Sequence, residues 1–296
     1  MEIMVVVFVL MIGMALGSFV NMLVYRTAIK YKIKNTRSPP EADQPLAEKI
    51  KAQKRQKLIG KLTKEAKWSF CDYCGKPLSW FENIPVISWV LQGGRTRCCN
   101  RQLPIAYPLL ELGMGGVLIS NFKFLISNDW LVAGNVIDMR LAVVALLEVV
   151  ILTLMVFGAV FDAKYLILPD FSNAWLLGLA VARWLLNWPL NWGYPLAGLV
   201  AGAVVLGLYL ITRGKGMGMG DVKYAPFMGM YLGLIGLAVG LYVAFISGAM
   251  YGVGLILSKK AKMKSVIPFG PFLIGGTVVS AWWGRIIMDW VTKVWF

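Results

Sequence analysis

Apolar residues run almost unbroken from Val5 to Leu23, then recur in blocks divided by short polar or glycine-rich breaks. A helix needs about 20 such residues to cross the hydrocarbon of a bilayer. On that basis the pattern predicts spans over roughly 3–25, 107–127, 140–161, 171–188, 194–212, 222–236, 237–258 and 267–292. The stretch Ala225 to Ser258 reads either as one long helix or as two. Two segments, broken around Gly233 and Gly236, keep the loop Lys259-Lys260-Ala261-Lys262-Met263-Lys264 on the same side as the other basic loops. Cytoplasmic loops carry the excess of Lys and Arg, so this division is favoured. The expectation is an all-α polytopic membrane protein of about eight transmembrane helices, with its N-terminus outside. Met1 to Tyr25 lacks a basic leader and a small-residue cleavage site, and reads as a retained first helix.

The polar remainder divides the chain further: a first transmembrane helix at 1–25, a basic cytoplasmic domain at 26–106, and a seven-helix membrane core at 107–296. The whole chain is 58% hydrophobic and only 15% charged, with mean hydropathy +0.66. That excludes an ordinary soluble protein. Segment 26–106 holds 17 Lys or Arg against 6 Asp or Glu, most of the formal net charge of +15. Such a surface suits anionic membrane lipid. No aromatic-interleaved basic motif accompanies it, which argues against nucleic acid. Residues 30–67 are Lys-rich, and from Glu48 to Lys67 the helical pattern is polar nearly all round, as in a solvated or membrane-surface helix. No internal repeat points to a transporter's two halves.

The chain has no histidine, so acid–base work falls to carboxylates, Lys, Tyr or Cys. Asp162 and Asp221 stand where hydrophobic segments break off, and the predicted topology brings both to the cytoplasmic face. A carboxylate at the edge of a bilayer is costly, so it is paired, wetted or used. Two close carboxylates share one proton, which lets one activate water while the other serves a leaving amine. An ion or proton site in a transporter or scaffold is the rival use of the same pair. Asp170 follows Pro169 and fits an N-cap of the fourth helix. Gly216, Gly218 and Gly220 precede Asp221 with no strand before them, so a dinucleotide loop is excluded; the glycines instead let a substrate backbone approach. Lys223 pairs with a carboxylate, contacts peptide or snorkels. Glu148 lies mid-span without an evident partner and reads as a protonated, hydrogen-bonded group, and Glu111 as a helix-start carboxylate.

All four cysteines lie in the basic domain: Cys71 and Cys74 in a C-x2-C pair, then the neighbours Cys98 and Cys99. A reducing compartment disfavours structural disulfides, and the spacing suits a closed structural zinc site. The adjacency of Cys98 and Cys99 is a poor chelating geometry. Thr96 occupies the place of a ligand three before Cys99, so Cys98 is the weaker expected ligand. A redox pair or packed free thiols are the alternatives.

Six blocks in order resemble the bacterial type IV prepilin leader peptidase family. They are Gly17-Ser18-Phe19-Val20-Asn21-Met22-Leu23-Val24-Tyr25-Arg26, Asn83-Ile84-Pro85-Val86-Ile87-Ser88-Trp89, Tyr107-Pro108-Leu109-Leu110-Glu111, Asp162 through Pro169-Asp170, Gly218-x-Gly220-Asp221-x-Lys223, and Ile267-Pro268-Phe269-Gly270-Pro271-Phe272. The resemblance implies a multi-pass protein of the bacterial inner membrane. It implies cleavage of the short basic leader of prepilins and pseudopilins at the cytoplasmic face, with Asp162 and Asp221 as the catalytic pair and Gly218, Gly220, Lys223 and Asp170 in support. It also implies methylation of the new N-terminal residue with S-adenosylmethionine. A protease lacking the methyltransferase activity is the nearest alternative.

Overall fold

The computed structural model describes residues 2–31, 69–71, 73–127, 132–133, 136–137, 139–187, 189–214, 217–259 and 266–295. Most of the Lys-rich segment 30–67, with the polar helix expected from Glu48, lies outside them, as do Gly216 and residues 260–265 of the basic loop.

The helices are α1 (Glu2–Lys30), the short α2 (Ile87–Leu91), α3 (Ala106–Ser127), α4 (Met139–Tyr165), α5 (Asp170–Leu186), α6 (Gly193–Ile211), α7 (Met219–Leu257) and α8 (Gly270–Trp295). Helix is the natural state of these runs, because a bilayer offers no partner to an unpaired backbone amide. Proline falls in the first turn of three of them, as Pro108, Pro195 and Pro271. There its missing N–H costs no helical bond. A two-residue antiparallel ladder, Val132–Ala133 with Val136–Ile137, provides the strands among the described residues; the apolar pattern did not foretell it.

Five helices are long and apolar enough to cross a membrane: Met4–Lys30, Ala142–Tyr165, Gly193–Ile211, Met219–Leu257 and Gly270–Trp290. Helix α5, at 17 residues, is shorter than these. Helix α7 counts there as one but is broken at Gly233 (φ 73°, ψ 177°). Met228 and Gly240 would lie about 18 Å apart along a straight helix, yet a Cβ on Gly240 would fall 2.5 Å from Met228 Cε. The chain therefore doubles back at Gly233, the form taken by the expected division of Ala225 to Ser258. Ser280 Oγ of α8 donates to the Gly236 carbonyl at 2.6 Å, beside the break.

The chain divides into two compact units, Met1–Lys123 and Phe124–Phe296. In the first, Gly13 and Gly17 of α1 let that helix come against the α3 backbone at Gly115 and Glu111, the close approach that small residues give membrane helices. The second is a bundle of α4 to α8 around Phe157, Phe161, Tyr224 and Phe227, all fully buried. Glu148 is not the partnerless, protonated group expected from the sequence. Its carboxylate pairs with Arg183 Nε of α5 at 2.5 Å and accepts from Tyr231 Oη of α7 at 2.5 Å. The Arg183 guanidinium also lies 4.9 Å from the centre of the Tyr231 ring. Three helices are thus tied by one charged cluster inside the bundle.

Candidate active site and cysteine centre

Helix α4 ends just beyond Asp162. Leu166 turns into the left-handed conformation (φ 59°) and donates its N–H to the Asp162 carbonyl at 2.8 Å, a common way to close a helix. An extended Pro169 then leads into α5. Asp162 is buried at 6% exposure. Its Oδ2 accepts from Gly270 N at 3.0 Å, at the start of α8. The first amides of a helix lack intrahelical acceptors and favour a negative charge, so this is a ready seat for a carboxylate. A Cβ on Gly270 would stand 2.8 Å from Asp162 Oδ2 and 3.0 Å from its Cγ. Glycine here is a condition of the contact.

Asp221 lies in the first turn of α7, at 7% exposure. Its Oδ2 accepts from Gly218 N at 3.2 Å. Asp162 lies close enough to Asp221 for its charge to bear on it. Gly220 seats the turn against the segment after α4, because a Cβ there would lie 2.8 Å from Leu168 Cβ. The expectation that both glycines serve substrate approach is therefore corrected for Gly220: its open face is filled by Leu168. Gly218 keeps room, with only Asp221 Oδ2 at 3.5 Å and Gly220 N at 3.9 Å from such a Cβ.

Lys223 Nζ meets Asp170 Oδ1 at 2.7 Å, so Lys223 pairs with a carboxylate. Asp170 is not the N-cap: Pro169 is, and Asp170 sits in the first turn with no capping bond from its side chain. Both partners are substantially exposed. Asn173 Nδ2 donates to the Gly220 carbonyl at 3.1 Å. Asp162 to Asn173, Gly218 to Lys223, and Gly270 are thereby drawn together from three stretches of sequence. Two buried carboxylates within Coulombic reach, each accepting a backbone N–H, can hold one proton between them.

The cysteine loop is built from two small turns. In the first, Phe70 bridges Pro77, Gly75 adopts φ 75°, and Cys71 N donates to the Lys76 carbonyl at 2.8 Å. In the second, Arg95 bridges Gln102, Asn100 takes φ 51°, and Asn100 N donates to the Thr96 carbonyl at 2.8 Å. All four sulfurs lie within 4.8 Å of one another. Cys74 to Cys98 is 3.2 Å, Cys71 to Cys99 is 3.9 Å, and Cys98 to Cys99 is 4.0 Å. A zinc tetrahedron with 2.3 Å bonds has sulfurs about 3.8 Å apart. The adjacency that looked unfavourable is resolved by the left-handed turn at Asn100, and Cys98 is no more peripheral than Cys99.

Thr96 Oγ1 lies 3.1 Å from Cys99 Sγ, a partner of the thiol rather than a lost ligand. That hydroxyl chiefly, with the Arg101 backbone, holds the Cys99 thiol down at about 7. Burial pushes the Cys71 and Cys98 thiols up. Glu111 is likewise not at a helix start. It lies past the first turn of α3, is 7% exposed, and accepts from Val86 N at 2.7 Å.

Comparison with known proteins bears on this arrangement. The Type IV leader peptidase family profile matches residues 149–253, which include Asp162 and Asp221. The Bacterial Peptidase A24 N-terminal domain matches residues 11–124. A prepilin leader peptidase/N-methyltransferase of Aeromonas salmonicida is 30% identical over 291 residues, covering 95% of this chain and 92% of the relative. The chain belongs to the type IV leader peptidase family. The corresponding protein of Aeromonas hydrophila is 31% identical over 75% of the chain and 73% of its own length. That of Bacillus subtilis is 25% identical over 76% and 86%. No solved structure matches the chain.

Two residues of the aspartate cluster escaped sequence reasoning as site residues. Gly270 was visible within the closing motif, but nothing local tied it to Asp162, 108 positions away. Asn173 sits three after Asp170, a polar residue entering an apolar span, and that was its signal.

Proposed function

We propose that this protein cleaves the basic leader of type IV prepilins and pseudopilins through Asp162 and Asp221, and N-methylates the new N-terminus with S-adenosylmethionine. The observation that carries the reading is the meeting of two buried aspartates from distant segments, each oriented by a backbone amide. Asp162, on the N-terminus of α8, is the ionised member and takes a proton from water. Asp221 is the protonated member: it hydrogen-bonds the scissile carbonyl and later protonates the departing amine. Lys223 and Asp170 brace the mouth of the site, and Gly218 leaves space for the peptide backbone. The family name and the apolar helices support an inner-membrane location. The basic loops support a cytoplasmic-facing site beside anionic lipid. The four thiols offer an all-sulfur donor set whose spacing fits zinc, held by Cys71, Cys74, Cys98 and Cys99 as a structural centre.

Incubating a prepilin with the purified protein, with and without S-adenosylmethionine, and weighing the products by mass spectrometry tests both activities. Asp162→Asn and Asp221→Asn should each lower cleavage by on the order of 10²–10⁴-fold while the protein still inserts. Asp170→Asn removes only an exposed ion pair, worth about 0–1 kcal/mol, and should keep substantial activity. Full activity in the Asp162→Asn protein would overturn the assignment.

A further inference from the structure

The first unit contains a cavity of about 200 Å³ lined by α1, α3 and the cysteine loop, and neither Asp162 nor Asp221 lines it. Glu111 lines it from α3. The Glu111 carboxylate is fixed by the Val86 amide and by the Ser18 side chain, and no Lys or Arg is paired with it among the described residues. Val86 holds its amide there at φ 60°, ψ −52°, a conformation that a β-branched residue adopts only under constraint. Strain of this kind gathers where geometry serves function. Across the wall, Asn21 Nδ2 is buried without a hydrogen-bond partner, so a donor is left for something else to satisfy. Trp89 and Tyr107 supply aromatic faces, and Arg26 and Arg97 supply positive charge.

We infer that this cavity is the methyl-transfer site, binding S-adenosylmethionine between its aromatic and charged walls with Glu111 as the proton acceptor for the substrate amine. The inference rests on the methyltransferase half of the proposed function. Its chemistry matches the lining: the donor has a flat base for Trp89 or Tyr107, a carboxylate for Arg26 or Arg97, and a sulfonium cation for Glu111. A newly cut N-terminus arrives as an ammonium, which has no lone pair. The Glu111 carboxylate takes one proton from it. The amine lone pair then forms the N–C bond as the C–S bond breaks, the electron pair staying on sulfur. The product leaves as a secondary ammonium and a neutral thioether, and Glu111 passes its proton to water.

The test measures binding and turnover on the full-length protein in lipid nanodiscs. Titration calorimetry follows S-adenosylmethionine and the neutral S-adenosylhomocysteine, and mass spectrometry follows cleavage and methylation of a prepilin. Glu111→Gln should weaken the cationic ligand about tenfold while changing the neutral one little, because only the sulfonium needs the charge. Methylation should fall on the order of 10²-fold or more, with cleavage, carried by the aspartates, at its usual rate. Asn21→Leu loses no protein hydrogen bond and should fold, yet weaken both ligands. Wild-type affinity and methylation in both variants would overturn the site. A wild-type protein that cleaves but neither binds nor uses the donor would overturn the methyltransferase reading, and the site with it.

Discussion

At the scale of single residues, the contact between Gly270 and Asp162 is the tightest constraint on the aspartate pair. A methyl group on residue 270 would press on the Asp162 carboxylate at 2.8 Å, between two backbone-fixed elements. A displaced reacting group of about 1 Å can cost on the order of 10²-fold in rate. Gly270→Ala should therefore lose about that factor in kcat for leader cleavage, with substrate KM little changed and methylation of a pre-cut pilin peptide intact. A detergent assay using cut and uncut peptides would read both; undiminished kcat would mean that Asp162 needs no seat on α8. The two aspartates themselves were legible, because a carboxylate ending an apolar run in a histidine-free chain has few uses. Their amide partners were not legible: a backbone donor has no side-chain signature, and its position depends on how α8 meets α4.

At the scale of elements, the reversal at Gly233 and the charged cluster of α4, α5 and α7 define the bundle. Gly233 occupies a region of backbone space (φ 73°, ψ 177°) that side chains avoid and that costs about 1–3 kcal/mol for other residues. Gly233→Ala should destabilise the protein by that amount, read as lower thermal stability in detergent. Glu148→Gln would leave Arg183 buried without its counter-charge, at a cost of about 3–5 kcal/mol. Adding Arg183→Met should recover most of that loss. If the double variant were no more stable than the single one, the cluster would matter for something other than charge neutralisation. The break in α7 was readable from glycine and from the charge of the following loop, since both signals are local or global sums along the chain. Arg183 as the partner of Glu148 was not readable. The two stand 35 positions apart, and only the packing of α4 on α5 brings them together.

At the scale of the molecule, the chemistry divides as the chain does. The aspartates and their supports lie within Phe124–Phe296, whereas the four thiols and the Glu111 cavity lie within Met1–Lys123. The cavity wall includes Phe70, Cys71, Thr96 and Arg97, residues of the two turns that carry the sulfurs. Four thiols brought together without a covalent tie are held by those turns alone, and a metal bound among them would contribute its binding energy to the loop's folding. Purified protein should accordingly carry about one zinc, and Cys71→Ser, Cys74→Ser, Cys98→Ser and Cys99→Ser should each release it. The parity of Cys98 with Cys99 is a point on which the three-dimensional arrangement departs from the sequence spacing. Because the loop shapes the cavity and contributes nothing to the aspartate pair, metal release should abolish binding of S-adenosylhomocysteine and methylation first. Cleavage of the leader should decline later, at higher chelator or temperature. Metal content, ligand binding and cleavage measured on the same chelator series would check this order. Simultaneous loss of both activities would mean that the loop also supports the protease, and a metal-free protein with both intact would remove zinc from the account.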